Sequence, residues 1–338
     1  MTPAVQTIAT RIRDRAQHDP QGVALREKSL GIWQETTWAG YRDSVERAAH
    51  GLLALGTRAG DRVAIQCENR PEWLVADTGA VAARGVTVGL DPAGPADALE
   101  RLLRGSGARV LVAEDQEQVD KALAVKAALP TLEWIVYIEP RGVRDYSEPS
   151  LLWWPELLDR GKEHRRAHPR LLDELAAAVS DDDPVAAGLT ARDVNGALAD
   201  TTVHPDPGSR DFVLCHLPLA RIASRLSTGW LDAHAGVQLH FGEPSAGLMH
   251  ALNEVQPSLF AAEAGTWEGL RAAVETKGAA PGWPTRRLHK LAIRRRLGMR
   301  KCRSAVSLSP VGPALSEWYG ALGIPLREIH IELAEEVA

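Results

Sequence analysis

Eleven histidines and three cysteines carry most of the nucleophile, base and metal-ligand potential of this 338-residue chain, yet their spacing assembles none of the common centres. Cys67, Cys215 and Cys302 lie far apart and match neither a disulfide framework nor a CxxC metal spacing, so they are expected to be buried free thiols in a reducing compartment. His204, His216, His234, His240 and His250 occur singly, and each is expected to be solvated or structural rather than a ligand. No GxSxG elbow, HExxH helix or strand-following GxGxxG turn is present. The chemistry-bearing residues therefore identify no reaction on their own, and the elements that hold them have to be read next.

A hydrophobic fraction of 45% with 25% charged residues is ordinary for a globular chain with a substantial core. The net charge of -5 gives no global reason to expect a nucleic acid or an anionic membrane as partner. The first twenty residues hold no apolar run long enough for a signal peptide or a membrane span, so a cytoplasmic location is expected. Trp33, Trp38 and Trp73, among ten tryptophans, fall beside strand or helix signals and are expected to pack rather than to form a binding platform.

Apolar runs and helical spacings alternate through the first 140 residues. Strands are predicted at 24–27, 32–37, 62–67, 86–90, 109–113 and 134–138, and helices at 38–55, 71–84, 95–104 and 116–129, with 71–84 amphipathic. Such alternation implies a parallel, doubly wound α/β sheet covered on both faces. Residues 140–155 read as a surface connection, followed by helices near 157–162 and 170–179. Ser180, Asp181, Asp182, Asp183 and Pro184 read as a solvated hinge. The boundary between a first subdomain, 1–180, and a second, shortened α/β subdomain, 181–338, is placed there. Strands are expected in the second near 211–217, 237–241, 258–261 and 304–308.

Six segments occur in one order: LREKSLGIWQETTW (25–38), LGTRAGDRVAIQCENRPEW (55–73), GVTVGLDPAGPADAL (85–99), AEDQEQVDKALAVKAALPTLEWIVYIEPRG (113–142), LPLARIASRL (217–226) and ALGIPLREI (321–329). Together they resemble the AMP-forming long-chain fatty acyl-CoA synthetases of the adenylate-forming superfamily, almost continuously over the first 186 residues and in patches beyond. The resemblance implies an acetyl-CoA synthetase-like N-terminal region. It also implies chemistry in which a fatty acid is joined to the α-phosphate of ATP and then passed to coenzyme A. A polyphosphate needs a cage of N–H groups, hydroxyls and cations, supplied in this family by a loop of the YTSGTTGxPKG type after a DDPVA strand. Asp183, Pro184, Val185 and Ala186 are present, but AGLTARDVNGAL (187–198) follows directly, as if the loop were excised. Gly188 with Thr190 is a weak remnant, and a plain strand-to-helix connection is expected there.

Other positions matched to the family also depart from it. The histidine that ends its LPLAH segment is Arg221 here, its VPRVWEKL segment reads EAGTWEGL (263–270), and its SGGAPL segment reads SLSPVG (307–312). Relatives continue from REI into YGLTE, whereas this chain reads IHIELAEEVA (329–338); Glu332, Glu335 and Glu336 there are expected to be a solvated tail rather than a Mg²⁺ site. Pocket candidates carried over by position are Arg221, Trp230, Trp267, Ser307, Ser309 and His330. The basic stretch 285–303 is expected to form a helix with an apolar stripe of Leu288, Leu291, Ala292 and Leu297. A phosphopantetheine phosphate, an acidic carrier protein or a membrane surface would suit it, and a solvated face is the expectation.

These departures lead to the expectation of a non-adenylating protein retained to bind an acyl-type small molecule or a protein partner. Two alternatives are altered or partial acyl-transfer chemistry assisted by Arg221 or His330, and a structural subunit that pairs with itself or with a complete synthetase. No catalytic residue, metal or cofactor is expected; ATP, Mg²⁺ and coenzyme A would apply only if the family's activity were retained. Nucleic acid and a transmembrane segment are not expected.

Overall fold

The computed structural model describes residues 5–199, 203–243, 247–275 and 286–329, without the side chains of 286–289. Helix α1 (Ile8–His18) starts at Thr7, whose hydroxyl accepts the Thr10 N–H while the Thr10 hydroxyl accepts the Thr7 N–H. Strands β1 (Val23–Ser29) and β2 (Ile32–Thr37) form a tight hairpin whose turn residues, Leu30 and Gly31, have φ of 49° and 78°. Thr37 then caps α2 (Trp38–Ala54) by accepting the Gly40 N–H at 3.2 Å.

The alternation read from the sequence follows as β3 (Arg62–Gln66), α3 (Pro71–Ala82), β4 (Val86–Leu90), α4 (Ala96–Ser106), β5 (Val110–Ala113), α5 (Gln116–Lys126) and β6 (Trp134–Tyr137). The stretch expected to be a surface connection contains a further strand, β7 (Leu151–Trp153), and Trp154 already opens α6 (Trp154–Ala167). Next come α7 (Leu171–Ala177), β8 (Pro184–Ala186), β9 (Leu189–Thr190), α8 (Ala191–Ala199), β10 (Phe212–Leu214), α9 (Ile222–Ser224), a π-helical turn (Arg225–Gly229) and α10 (Leu231–Ala235). The chain continues through β11 (Gln238–Phe241), α11 (Leu248–Val255), β12 (Leu259–Ala262), α12 (Ala264–Glu275), α13 (Arg286–Arg296), β13 (Ser304–Ser307), α14 (Pro313–Ala321) and β14 (Leu326–Glu328).

Two seven-stranded sheets result, ordered β7-β6-β5-β3-β4-β8-β9 and β14-β13-β12-β10-β11-β1-β2. Their strands run parallel except in the β1–β2 and β8–β9 hairpins. The expected division at 180/181 does not coincide with the sheets. β1 pairs with β11 through Leu25↔Leu239, and β8 joins the first sheet through Thr87↔Ala186. A strand's pattern reports which of its faces are buried, not which distant edge it will complete.

Strand alternation places the sheets in layers. Val63, Ile65, Val110 and Val112 of the first sheet share one core with Leu25, Val213, Leu239 and Leu259 of the second, together with α1, α2 and α3. Ala64, Leu111 and Ala113 face a separate core under α4 and α5, and Leu214, Phe260 and Ala305 face one under α11, α12 and α14. Helix α3 is not amphipathic as expected, because Trp73 to Val81 are all buried between its neighbours. The 180–184 segment is not a free hinge either: the Asp183 carboxylate accepts Arg84 at 2.6 Å and the Ser180 hydroxyl at 2.9 Å. Of the apolar stripe expected at α13, Leu297 is fully buried in the core under α11, α12 and α14 and Ala292 is half-buried, but Leu291 is 48% exposed and Ile293 packs on the core; the side chain of Leu288 lies outside the described residues. Arg294 turns inward instead and donates to the carbonyls of Met299, Arg300, Cys302 and Gly323.

Asp232 is fully buried in the shared core; one of its oxygens accepts the Ala233 N–H and the other has no partner. Burial pushes its carboxyl up to about 8, so it stays protonated where an unfolded aspartate ionises. Because the folded value lies above the unfolded one, stability falls on the order of 1 kcal/mol per pH unit between the two. Asp232→Asn is therefore expected to gain stability relative to the parent as pH rises from 4 towards 8, and to differ least at pH 4. Urea unfolding across that range checks it.

Candidate functional site

The two sheets meet where β3 and β10 end. The Asn69 side-chain amide, just beyond β3, donates to the carbonyls of Leu217 at 2.8 Å and Cys215 at 3.3 Å. Its oxygen accepts the Leu219 N–H at 3.0 Å, which fixes the segment leaving β10. Six residues on, Arg225 lies in the π-helical turn with 1% exposure. Its guanidinium donates to the Leu219 carbonyl at 2.9 Å, the Thr87 hydroxyl at 3.0 Å, the Ala220 carbonyl at 3.3 Å and the Asp77 carboxylate at 3.4 Å. The second Asp77 oxygen accepts the Trp230 indole N–H at 2.7 Å. The rings of Trp73 and Trp230 flank the guanidinium carbon at 4.9 and 5.6 Å.

In the second sheet β10 has β11 on one side and β12 on the other, so the strand order reverses beside it. In open α/β sheets ligands bind beyond the carboxyl ends of strands at such a reversal. A cavity of about 240 Å³ lies there, lined by Glu68, Asn69, Leu214, Cys215, His216, Gly242, Glu243, Gly247, Leu248 and Ala251. His216 stacks on Phe260 with ring centroids 4.7 Å apart, its Nδ1 is 3.3 Å from the Leu214 carbonyl, and its buried Nε2 has no partner. Burial depresses the imidazole to about 4, so it is neutral at pH 7. Nδ1 then carries the proton given to Leu214, which leaves Nε2 as an acceptor. Glu68 is pushed up by burial, and by Glu114 and Asp91.

Arg221 and Ser309 come together at the same edge of the sheet. Arg221 is 3.7 Å from Glu263 with its side chain 58% exposed, and Ser309 caps α12 by accepting the Ala264 N–H at 2.8 Å. Ser307 and Trp267 lie behind them, buried: the Ser307 hydroxyl donates to the Ser309 carbonyl at 2.7 Å and the Trp267 indole to the Val306 carbonyl at 3.1 Å. Trp230 belongs to the Asp77 cluster in the shared core, and His330 is outside the described residues. Asn69, Asp77, Arg225 and His216 were not singled out as site residues. Of these, only Asp77, a charged residue within the buried run of α3, is marked in one dimension.

At the β8–β9 turn Gly188 has a φ of 76° and the Ala187 N–H goes to the Thr87 carbonyl at 2.9 Å. Helix α8 then closes its own amino end. The Asp193 carboxylate accepts both the Thr190 N–H at 2.9 Å and its hydroxyl at 2.6 Å, and the Asp193 N–H is 3.3 Å from that hydroxyl. The N–H groups of Ala191 and Arg192 are taken by the carbonyls of Asp183 and Asp181, each at 2.9 Å. Gly188 and Thr190 thus sit in a hairpin and a capping box, not in a straight strand-to-helix connection. Among the described residues no group of three or more histidines, cysteines and carboxylates is placed to hold a metal ion, and no helix is long and apolar enough to cross a membrane.

The profile of the AMP-binding enzymes matches residues 12–187. A long-chain-fatty-acid–CoA ligase of Xenopus laevis, ACSBG2, is 27% identical over 277 residues, covering 76% of this chain and 37% of that protein. FadD15 of Mycobacterium bovis, also a long-chain-fatty-acid–CoA ligase, is 26% identical over 371 residues, covering 95% and 59%. The chain thus spans between about two fifths and three fifths of the length of these relatives. Among solved structures, coronafacic acid ligase from Pectobacterium brasiliense superposes with a TM-score of 0.76 at 14% identity, covering 97% of this chain and 61% of that one. The N-terminal domain of FACL13 from Mycobacterium tuberculosis gives 0.69 at 20% identity, covering 97% and 76%.

Removing one partner of the buried pair leaves an uncompensated charge, so Arg225→Met and Asp77→Leu are each expected to cost about 3–5 kcal/mol, and the double variant clearly less than their sum. Thr190→Ala, which opens the α8 cap, is expected to cost about 1 kcal/mol. Denaturant midpoints of the four variants against the parent measure all of these.

Proposed function

Because the chain belongs to the AMP-binding enzyme family, we propose that it is a non-adenylating member that binds a small acyl-type molecule and does not take ATP, Mg²⁺ or coenzyme A as cofactors. The observation that carries this reading is the closed amino end of α8. A polyphosphate is gripped by unpaired N–H groups and cations at such a helix start. Here those N–H groups have partners, and the Asp193 carboxylate occupies the position an incoming anion would need. Neighbouring Thr190 holds Asp193 ionised by hydrogen bonding, which keeps its charge in place.

The acyl-type ligand is assigned to the cavity beyond β10 and β11, whose apolar wall is Leu214, Leu248 and Ala251. Relatives named as long-chain-fatty-acid–CoA ligases support the acyl class. The polar lining narrows it. Glu68 and Glu243 present acceptors, so a free carboxylate meets repulsion, whereas a neutral acyl compound carrying a hydroxyl or amide N–H finds partners. Altered acyl transfer through Arg221 has less support, since its guanidinium already faces Glu263.

Incubating the protein with ATP, Mg²⁺ and a panel of carboxylic acids is expected to release no pyrophosphate, and calorimetry with Mg·ATP to give no heat of binding. Turnover at ordinary enzymatic rates refutes the proposal. Octanamide is expected to bind more tightly than octanoate at pH 7, and Ala251→Phe, which fills the cavity, to abolish both.

A further inference from the structure

The first sheet leaves part of its own edge unpaired. Along a parallel strand the N–H and C=O of successive residues face opposite neighbours. In β4 the Val86 N–H faces the β3 side, reaching the Asp61 carbonyl at 2.9 Å, whereas the Thr87 carbonyl faces the β8 side and accepts the Ala187 N–H at 2.9 Å. Gly89, two residues beyond Thr87, therefore turns its N–H and C=O towards β8. Pairing between β4 and β8 is confined to Thr87↔Ala186, and the chain then leaves through Gly188. Both polar groups of Gly89 are without a hydrogen-bond partner among the described residues.

Beside this edge is a second cavity of about 300 Å³, walled by Val86, Val88, Leu102, Ala187, Ala220 and Ile222. Its charged lining offers nothing to an anionic head group, since Asp91 is itself acidic. Arg62 at its rim donates to the carbonyls of Ser106, Gly60 and Gly107 at 2.7, 2.8 and 3.2 Å, and Arg225 is held in the buried pair. The edge is also held in position, because a Cβ on Gly89 would lie 2.4 Å from the Ala220 carbonyl oxygen. A backbone donor and acceptor, side by side in strand geometry over an apolar pocket, are the two requirements for adding a strand to a sheet.

We propose that this groove binds an extended, uncharged peptide segment of a partner protein, about three residues long, that continues the ladder begun at Thr87 and Ala186. Its backbone pairs with the N–H and C=O of Gly89, and its small apolar side chains alternate between Val88 and Leu102 on one face and Ala220 and Ile222 on the other. This site is separate from the acyl cavity and stands whether or not that assignment holds.

The test uses the full chain labelled with ¹⁵N-glycine and titrated with acetyl-Val-Ala-Val-amide. Saturable shifts of the Gly89 and Gly188 amides are expected, with at least about tenfold weaker binding of the depsipeptide in which an ester replaces the amide paired to Gly89. Gly105→Trp is expected to cover the groove and abolish the response. Gly105 is exposed, and a Cβ there meets nothing within 4 Å, so the fold tolerates the change. Leu102→Trp, which fills the pocket from below, is expected to do the same, while Ala251→Phe leaves the titration unchanged. An unmoved Gly89 amide, equal binding of peptide and depsipeptide, or the same response to octanamide overturns the proposal, the last by making the groove a second acyl cavity.

Discussion

The packing of the two sheets depends on one buried charge contact. Arg225 and Asp77 lie together with 1% and 0% exposure, where an isolated ion of either sign would cost several kcal/mol. The cost is offset only because every direction around the pair is occupied: the Trp230 indole, the Thr87 hydroxyl and two carbonyls supply hydrogen bonds, and Trp73 covers the guanidinium face. These groups come from α3, β4, the segment after β10 and the π-helical turn. The contact can be satisfied in only one relative placement of the sheets. The widened turn fits this requirement, since the Trp230 N–H reaches back five residues to the Arg225 carbonyl at 2.7 Å.

Asn69 extends the same constraint to the edge where a ligand would enter. By holding Cys215, Leu217 and Leu219 it decides where the chain leaves β10, and with it the wall of the cavity that contains His216. That imidazole is kept neutral by burial. The fold is that of the AMP-binding enzymes, and the cavity beyond β10 is lined by Glu68 and Glu243 beside Asn69 and His216.

The short turn after β8 acts on both sides of itself. Towards α8 it lets Thr190 and Asp193 cap each other, which removes the free N–H groups that an anion needs. Towards β4 it ends the ladder after one residue pair and leaves Gly89 open. The capped start of α8 and the short β4–β8 ladder are two results of one local chain path.

Much of this was legible in one dimension. The period of the apolar residues located β3, α3, β4, β5, α5 and β6 to within a few residues, ordered motifs identified the family, and Ala186 followed directly by AGLTARDV raised the expectation of an excised phosphate loop. The sequence does not show that β1 would pair with β11, that β8 would join the first sheet, that Arg294 would turn inward while Leu291 stays exposed, or that Arg225 would find Asp77. The reason is physical: periodicity reports whether a side chain is buried, because burial is repeated along an element. Which edge a strand completes and which charge meets a buried guanidinium are settled by contacts between residues more than a hundred positions apart, and those exist only once the chain has closed on itself.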